Sequence, residues 1–73
     1  MSGGMIKEGD IILVTGFNCG KRATSKFLAM GIRRNTKMSI RTIQPDGPYV
    51  VDVGKSEYTI GRGLFNKLIY EVL

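Results

Sequence analysis

The chain carries few side chains that could serve as a nucleophile, a general base or a metal ligand. It contains no histidine and a single cysteine, Cys19, so it lacks the usual base of nucleophilic catalysis and the grouped ligands of a transition-metal site. Ser25 and Lys26 are adjacent on a predicted helix and therefore point in different directions. The six carboxylates are scattered, without the spacing of a calcium-binding loop. We expect no catalytic residue, no metal site and no cofactor.

A glycine-rich segment at residues 16–22 has some features of a phosphate-binding loop. Gly20 and Lys21 match the end of that motif, but Arg22 stands where the motif requires serine or threonine. The chain that follows is also too short for a nucleotide-binding α/β unit. We interpret the segment as an ordinary connection between a strand and a helix. A reactive thiol at Cys19 is the less favoured alternative.

Positive charge is the most concrete surface feature of the sequence. Eleven basic and six acidic residues give a net charge of +5, which favours an acidic partner such as a nucleic acid, an anionic membrane or an acidic protein surface. The alternative is an ordinary solvated face whose charge keeps a small domain soluble. The predicted partner-binding residues lie on the outer face of a helix, on the next turn and on the following strand: Arg22, Lys26, Arg33, Arg34, Lys37 and Arg41.

The elements that must position these cations are predicted by the spacing of apolar residues. Residues 11–15 form a β-branched run that Gly16 should end, and residues 21–30 have apolar side chains at helical spacing, with Gly31 placed to end the helix. Asn35 can make the next bend, because asparagine tolerates a positive φ. The remaining predictions are strands at 37–44, 49–53, 57–60 and 68–73, and one helical turn at 64–67.

Five short strands at this spacing favour a small closed barrel, which hides sheet edges. An open meander with the helix packed on one face is the alternative. In the strand at 37–44 we expect Met38, Ile40 and Thr42 to face inward. Phe17, in the glycine-rich segment, should be partly exposed. The aromatic residues assigned to the core are Phe27, Tyr49, Tyr58 and Phe65.

The length and the absence of long apolar runs predict one small cytoplasmic domain. A chain of 73 residues buries only a thin core. Its longest apolar run, residues 11–14, is far below the about 20 residues that span a bilayer, and no signal peptide is visible. We expect residues 1–5 to be a flexible leader and residues 6–73 to form the domain.

Several short segments, taken in order, resemble the FeoA family of ferrous iron transport proteins. The opening at residues 6–10 is similar to the family's turn into its first strand, and Phe27 to Ile32 is similar to its helix end. Tyr58 to Ile60 and residues 64–72 resemble its later strand, final turn and last strand. The resemblance covers nearly the whole of residues 6–73. One departure is Asn35, which follows Arg34 where the family commonly has Pro-Gly.

The resemblance implies a mostly β fold. This is an SH3-like small five-stranded barrel, with one α-helix inserted after the first strand and a short helical turn before the last. It further implies a non-catalytic accessory or regulatory protein of bacterial ferrous iron uptake. Such a protein docks from the cytoplasm to the GTP-binding region of the FeoB permease, which recruits it to the inner face of the membrane. Neither nucleic-acid binding nor direct membrane insertion is expected.

Two other functions remain open at the level of sequence. Residues 9–21 resemble the KOW-type loop of some nucleic-acid-binding small barrels, and the positive charge fits that function. A KOW segment continues into another strand, whereas residues 21–30 predict a helix. The weaker alternative is the SH3-like C-terminal domain of a metal-dependent repressor.

Overall fold

The computed structural model describes residues 6–18 and 20–73, so the predicted leader at 1–5 and Cys19 lie outside the described residues. Five strands and two helices follow one another along the chain. In chain order they are β1 (Ile11–Phe17), α1 (Lys21–Ala29), β2 (Lys37–Ile43), β3 (Tyr49–Val53), β4 (Ser56–Ile60), α2 (Arg62–Phe65) and β5 (Leu68–Val72). The order of strands and helices predicted from the sequence is confirmed.

All five strands join one antiparallel sheet in the order β4-β3-β2-β1-β5. The strands from β2 to β4 are connected by tight turns, and the first turn has Asp46 at φ +55°. The last strand returns to pair with the first, with Val14 opposite Tyr70. The buried residues of all five strands belong to one apolar core, as in a small barrel.

A bulge in β1 corrects the prediction that Gly16 ends this strand. The register shifts between Val14 and Gly16, so Thr15 is the extra residue, and its hydroxyl donates to the Ile69 carbonyl at 3.1 Å. The strand continues to Phe17, which is half-buried and packs its ring on Phe27 at 5.3 Å between centroids. Phe17 is therefore a strand residue beside the core rather than a loop residue.

A second bulge in β2 corrects the predicted inward face. Met38 and Ile40 are buried as expected, but the register shifts between Ile40 and Thr42. One extra residue reverses the alternation of faces beyond it. Ile43, opposite buried Tyr49, then packs against the core, whereas Thr42 lies opposite half-buried Val50.

The helix α1 is anchored through Phe27, whose side chain is fully buried. It ends where the sequence predicted, because Gly31 has φ +79° and the Ile32 N–H donates to the Phe27 carbonyl at 2.9 Å. Asn35 makes the following bend with φ +72°. The path of the chain from helix to strand is thus defined by two residues with positive φ.

The second helix begins two residues earlier than predicted, at Arg62 instead of Leu64. Phe65, the last residue of this helix, lies in the core. Its ring stacks on that of Tyr49 with 4.0 Å between centroids and lies tilted against that of Tyr70 with 5.7 Å between centroids. Burial of Tyr70 raises the pKa of its hydroxyl, and the neighbouring Tyr49 adds to the effect. Phe27, Tyr49 and Phe65 are core residues as predicted, whereas Tyr58 is only half-buried. The core is completed by Ile12, Val14, Ile32, Met38, Ile40, Val51, Ile60, Leu68 and Tyr70.

Candidate functional site

The six exposed cations between residues 21 and 37, which we call the cationic segment, form the main candidate surface. They are Lys21, Arg22, Lys26, Arg33, Arg34 and Lys37. None of them makes an ion pair with any residue in the ranges 6–18 and 20–73. Since the cations come from α1, the turn after it and the first residue of β2, one short stretch of chain presents all of them.

Within α1, the placement of the two N-terminal cations opposes the stability of the helix. Lys21 and Arg22 are the first two helical residues, and no acidic residue accompanies them in the first turn. The partial positive charge of a helix N-terminus disfavours cations there by about 0.3–1 kcal/mol. Arg22 and Lys26 are also separated by one turn on the exposed side, where like charges repel. Lys26 lies in the last turn, where the dipole favours a cation, so it is Lys21 and Arg22 that do not serve the helix itself.

The turn that carries Arg33 and Arg34 is held firmly against the sheet. The Asn35 N–H donates to the Val14 carbonyl at 2.7 Å, and the Val14 N–H donates to the Thr36 carbonyl at 2.9 Å. Within the turn, the Arg33 N–H donates to the Thr36 hydroxyl at 2.9 Å. The two arginine side chains therefore extend from a fixed backbone.

Arg41 differs from the other predicted partner-binding residues, because it is already paired. Its Nε lies 3.1 Å from Asp52 Oδ2 and 2.9 Å from Glu57 Oε2. Asp52 and Glu57 face each other on adjacent strands, and their like charges would repel without this cation. The exposed Arg41 thus stabilises the surface formed by β2, β3 and β4. Its ion pairs distinguish it from the cationic segment.

Two charged residues that the sequence did not single out have structural partners. The guanidinium of Arg62 donates to the Tyr49 hydroxyl at 3.1 Å and to the Gln44 carbonyl at 2.6 Å, and it lies 5.0 Å from the centre of the Tyr49 ring. Glu8 accepts a hydrogen bond from the Ile43 N–H at 2.9 Å. Both residues hold the end of β2. No sequence signal could reveal them, because their partners are 13, 18 and 35 residues away along the chain.

The described residues show no grouping typical of a metal site, a base-stacking surface or a membrane span. They contain no group of three or more potential metal ligands. All six aromatic residues are buried or half-buried, so none is strongly exposed as a platform for stacking a base. No helix among residues 6–18 and 20–73 has the length and apolarity to cross a bilayer. The cationic segment is therefore the feature of this surface that most clearly lacks a structural role.

The antiparallel five-stranded sheet, the helix inserted after β1 and the helical turn before β5 define an SH3-like small barrel. Solved structures show the same fold. The crystal structure of an iron uptake regulatory protein, FeoA, superposes with a TM-score of 0.88 at 26% identity, covering 93% of this chain and 91% of that chain. The NMR structure of a FeoA-like protein from Clostridium acetobutylicum gives a TM-score of 0.83 at 20% identity, covering 93% and 80% of the two chains.

Sequence comparisons identify the family. The family model of the FeoA domain matches residues 4–72. A protein of Methanocaldococcus jannaschii named "Putative Fe(2+) transport protein A" is 32% identical over 65 residues, which are 89% of this chain and 78% of that protein. The chain belongs to the FeoA family, which is associated with ferrous iron transport. The resemblance seen in the sequence is thereby confirmed.

Proposed function

We propose that this chain is a non-catalytic cytosolic accessory protein of ferrous iron uptake, which docks to the GTP-binding cytoplasmic region of an FeoB-type permease. Membership of the FeoA family is the observation that carries the proposal. Docking recruits the protein to the inner face of the cell membrane. The described residues contain no group of three or more potential metal ligands.

The docking surface that we propose is the cationic segment. Charges that lack intramolecular partners are free to attract an acidic surface, and such attraction speeds association and orients the two proteins. Arg41, which the sequence placed in the same group, is expected to contribute less because Asp52 and Glu57 already neutralise it. The proposed contact therefore centres on α1 and the turn after it.

Nucleic-acid binding is the second candidate, and the positive charge is the observation that favours it. Two features weigh against it. Residues Lys21–Ala29 form a helix, whereas a KOW segment would continue into a strand. Single-strand binding also relies on exposed aromatic platforms, and every aromatic ring in this chain is buried or half-buried.

A binding titration tests the proposal. The labelled full chain is added to the detergent-solubilised FeoB-type transporter of its own organism at about 150 mM salt, where long-range surface charge is largely screened. Parallel titrations use single-stranded and duplex nucleic acid. We expect saturable binding to the transporter, and nucleic-acid binding that is weak and collapses as salt is added.

Charge-reversal variants locate the docking surface in the same assay. Arg22→Glu/Lys26→Glu should weaken transporter binding, whereas the matched control Lys7→Glu/Lys55→Glu should not. Both variants lower the net charge from +5 to +1. Absence of transporter binding by the unaltered chain would overturn the proposed function, while equal affinities of the two variants would overturn only the proposed surface.

A further inference from the structure

We infer that the cationic segment is also a binding surface for the anionic phospholipid headgroups of a membrane. The inference adds a second ligand to the proposed function and requires no protein partner. It begins with the distribution of charge along the chain. Between Asp10 and Asp46 the sequence has seven lysines and arginines and no carboxylate. Only one of these seven, Arg41, is ion-paired among the described residues.

The exposed side of α1 faces no other part of the described structure. Lys21, Arg22, Ser25 and Lys26 are all exposed, while Phe27 alone is buried and attaches the helix to the core. Small side chains lie between the cations, so the headgroup layer could approach the helix closely. The exposed side therefore combines accessible charge with a convex surface that no other element covers.

The local chemistry favours headgroups over single-stranded nucleic acid. Among residues 21–37, Leu28 is the one large apolar residue that is strongly exposed, at 48%, and no exposed aromatic ring accompanies it. Four to eight clustered basic residues are typical of surfaces that bind anionic lipids, and each contributes through charge alone. Stacking of single-stranded bases would require the aromatic faces that are missing here.

The energetic conflicts within α1 support the same conclusion. Cations in the first turn and a like-charge pair one turn apart weaken the helix. A negatively charged surface beside α1 would offset both effects, because it would attract each cation and weaken the repulsion between them. The anionic headgroups would then supply the negative charge that the cations of α1 lack within the chain.

Attachment through such a surface alone is weak and reversible. Because the proposed transporter docking uses the same cationic segment, the two contacts alternate rather than act together. Headgroup binding would therefore keep the chain at the membrane between docking events and orient α1 towards the lipid.

The test uses vesicles that contain no protein. The full chain is sedimented with vesicles of equal parts phosphatidylglycerol and phosphatidylcholine, and separately with pure phosphatidylcholine, at about 0.1 M salt, where the Debye length is about 10 Å. We expect binding to the phosphatidylglycerol vesicles only. Raising the salt to about 1 M, where the Debye length is about 3 Å, should abolish it.

Three variants locate the surface. Arg22→Gln/Lys26→Gln should lower the partition coefficient about twenty-five-fold, since each basic residue near an anionic surface contributes roughly five-fold. Arg22→Glu/Lys26→Glu should lower it further. Lys7→Glu/Lys55→Glu has the same net charge as the latter, +1 instead of +5, and should retain most of the binding because its changes lie outside the cationic segment. Thermal unfolding of each variant confirms that the fold is intact.

Four results would overturn the inference: no sedimentation of the unaltered chain with phosphatidylglycerol, equal binding to pure phosphatidylcholine, equal losses in the two charge-reversal variants, or tighter and more salt-tolerant binding to an oligonucleotide. None of the first three would affect the proposed docking to the transporter, because that titration is made in detergent without anionic lipid. Conversely, loss of transporter docking would leave headgroup binding intact.

Discussion

The cationic segment and the surface formed by β2, β3 and β4 use positive charge in opposite ways. On the sheet surface Arg41 lies between two carboxylates, and at the end of the barrel Arg62 donates to Tyr49 and Gln44. On α1 and the turn after it, six cations have no ion-pair partner among the described residues. Arg41 and Arg62 are thus bonded within the fold, whereas the cations of the cationic segment have no such ion pair.

The largest expected effect is on the free energy of unfolding, through the backbone turn at Gly31 that leads from α1 to Arg33 and Arg34. Gly31→Val should destabilise the fold by about 2 kcal/mol, because a β-branched residue is strained at φ +79° even though open space surrounds the new Cβ. The measurement is urea unfolding of the variant and the unaltered chain. A loss below about 1 kcal/mol would show that Gly31 does not direct the chain from α1 into the arginine turn.

Gly63→Val is the matched control for this change. Gly63 lies within α2 without a positive φ, and its added Cβ also meets nothing within 4 Å. Valine is a better helix former than glycine. We therefore expect Gly63→Val to leave stability within about 1 kcal/mol of the unaltered chain.

The next effect tests whether Arg62 is a structural cation. Arg62→Met should cost about 1.5 kcal/mol, since the Tyr49 hydroxyl and the Gln44 carbonyl lose a charged donor. Arg62→Lys, which keeps the charge and can keep one bond, should cost less. Chemical unfolding measures both. If Arg62→Met were as stable as the unaltered chain, the hydrogen bonds of Arg62 would not stabilise the fold, and the comparison between bonded and unbonded cations would fail.

Two positions on β2 give the sharpest contrast between the surfaces. Arg41→Glu should cost about 1 kcal/mol, because it gathers three carboxylates, and should leave partner binding nearly unchanged. Lys37→Glu makes the same change of charge at an exposed residue without an ion pair, so it should weaken binding with little effect on stability. Chemical unfolding and vesicle sedimentation measure the stability and the binding of both variants. The comparison would be contradicted if Lys37→Glu lost stability and Arg41→Glu lost binding.

The smallest effect has the opposite sign. Arg22→Glu should stabilise the fold by about 0.5 kcal/mol, because a carboxylate suits the first turn of α1 and can pair with Lys26 one turn later. Thermal unfolding at low ionic strength should show a higher midpoint, and added salt should reduce the gain. A lower midpoint would indicate that Arg22 stabilises the fold even though its side chain is exposed.

Much of the fold followed from local patterns. The strands and α1 lie close to their predicted ranges, and Gly31 and Asn35 adopt the positive φ values expected of them. These features depend on neighbouring residues, through helical spacing, strand alternation and backbone freedom at glycine and asparagine. The prediction placed α2 two residues late, because a single helical turn has too few residues for a periodic signal.

The candidate site was predicted only in part. All the predicted partner-binding residues are exposed, yet nothing in the sequence distinguished Arg41 from Lys37 on the same strand. The difference arises because Asp52 and Glu57 approach Arg41 from β3 and β4. The importance of Arg62 was likewise invisible, since its partners belong to distant parts of the chain.

By itself, the sequence determined the family, the order of strands and helices and the long stretch without carboxylates. Only the tertiary structure decided the bulges at Thr15 and Arg41, the pairing of β1 with β5 and the division of the cations into bonded and free. The physical reason is the range of the interactions. Turns and helices are set by residues a few positions apart, whereas strand register and ion pairing depend on which distant segments the folded barrel brings together.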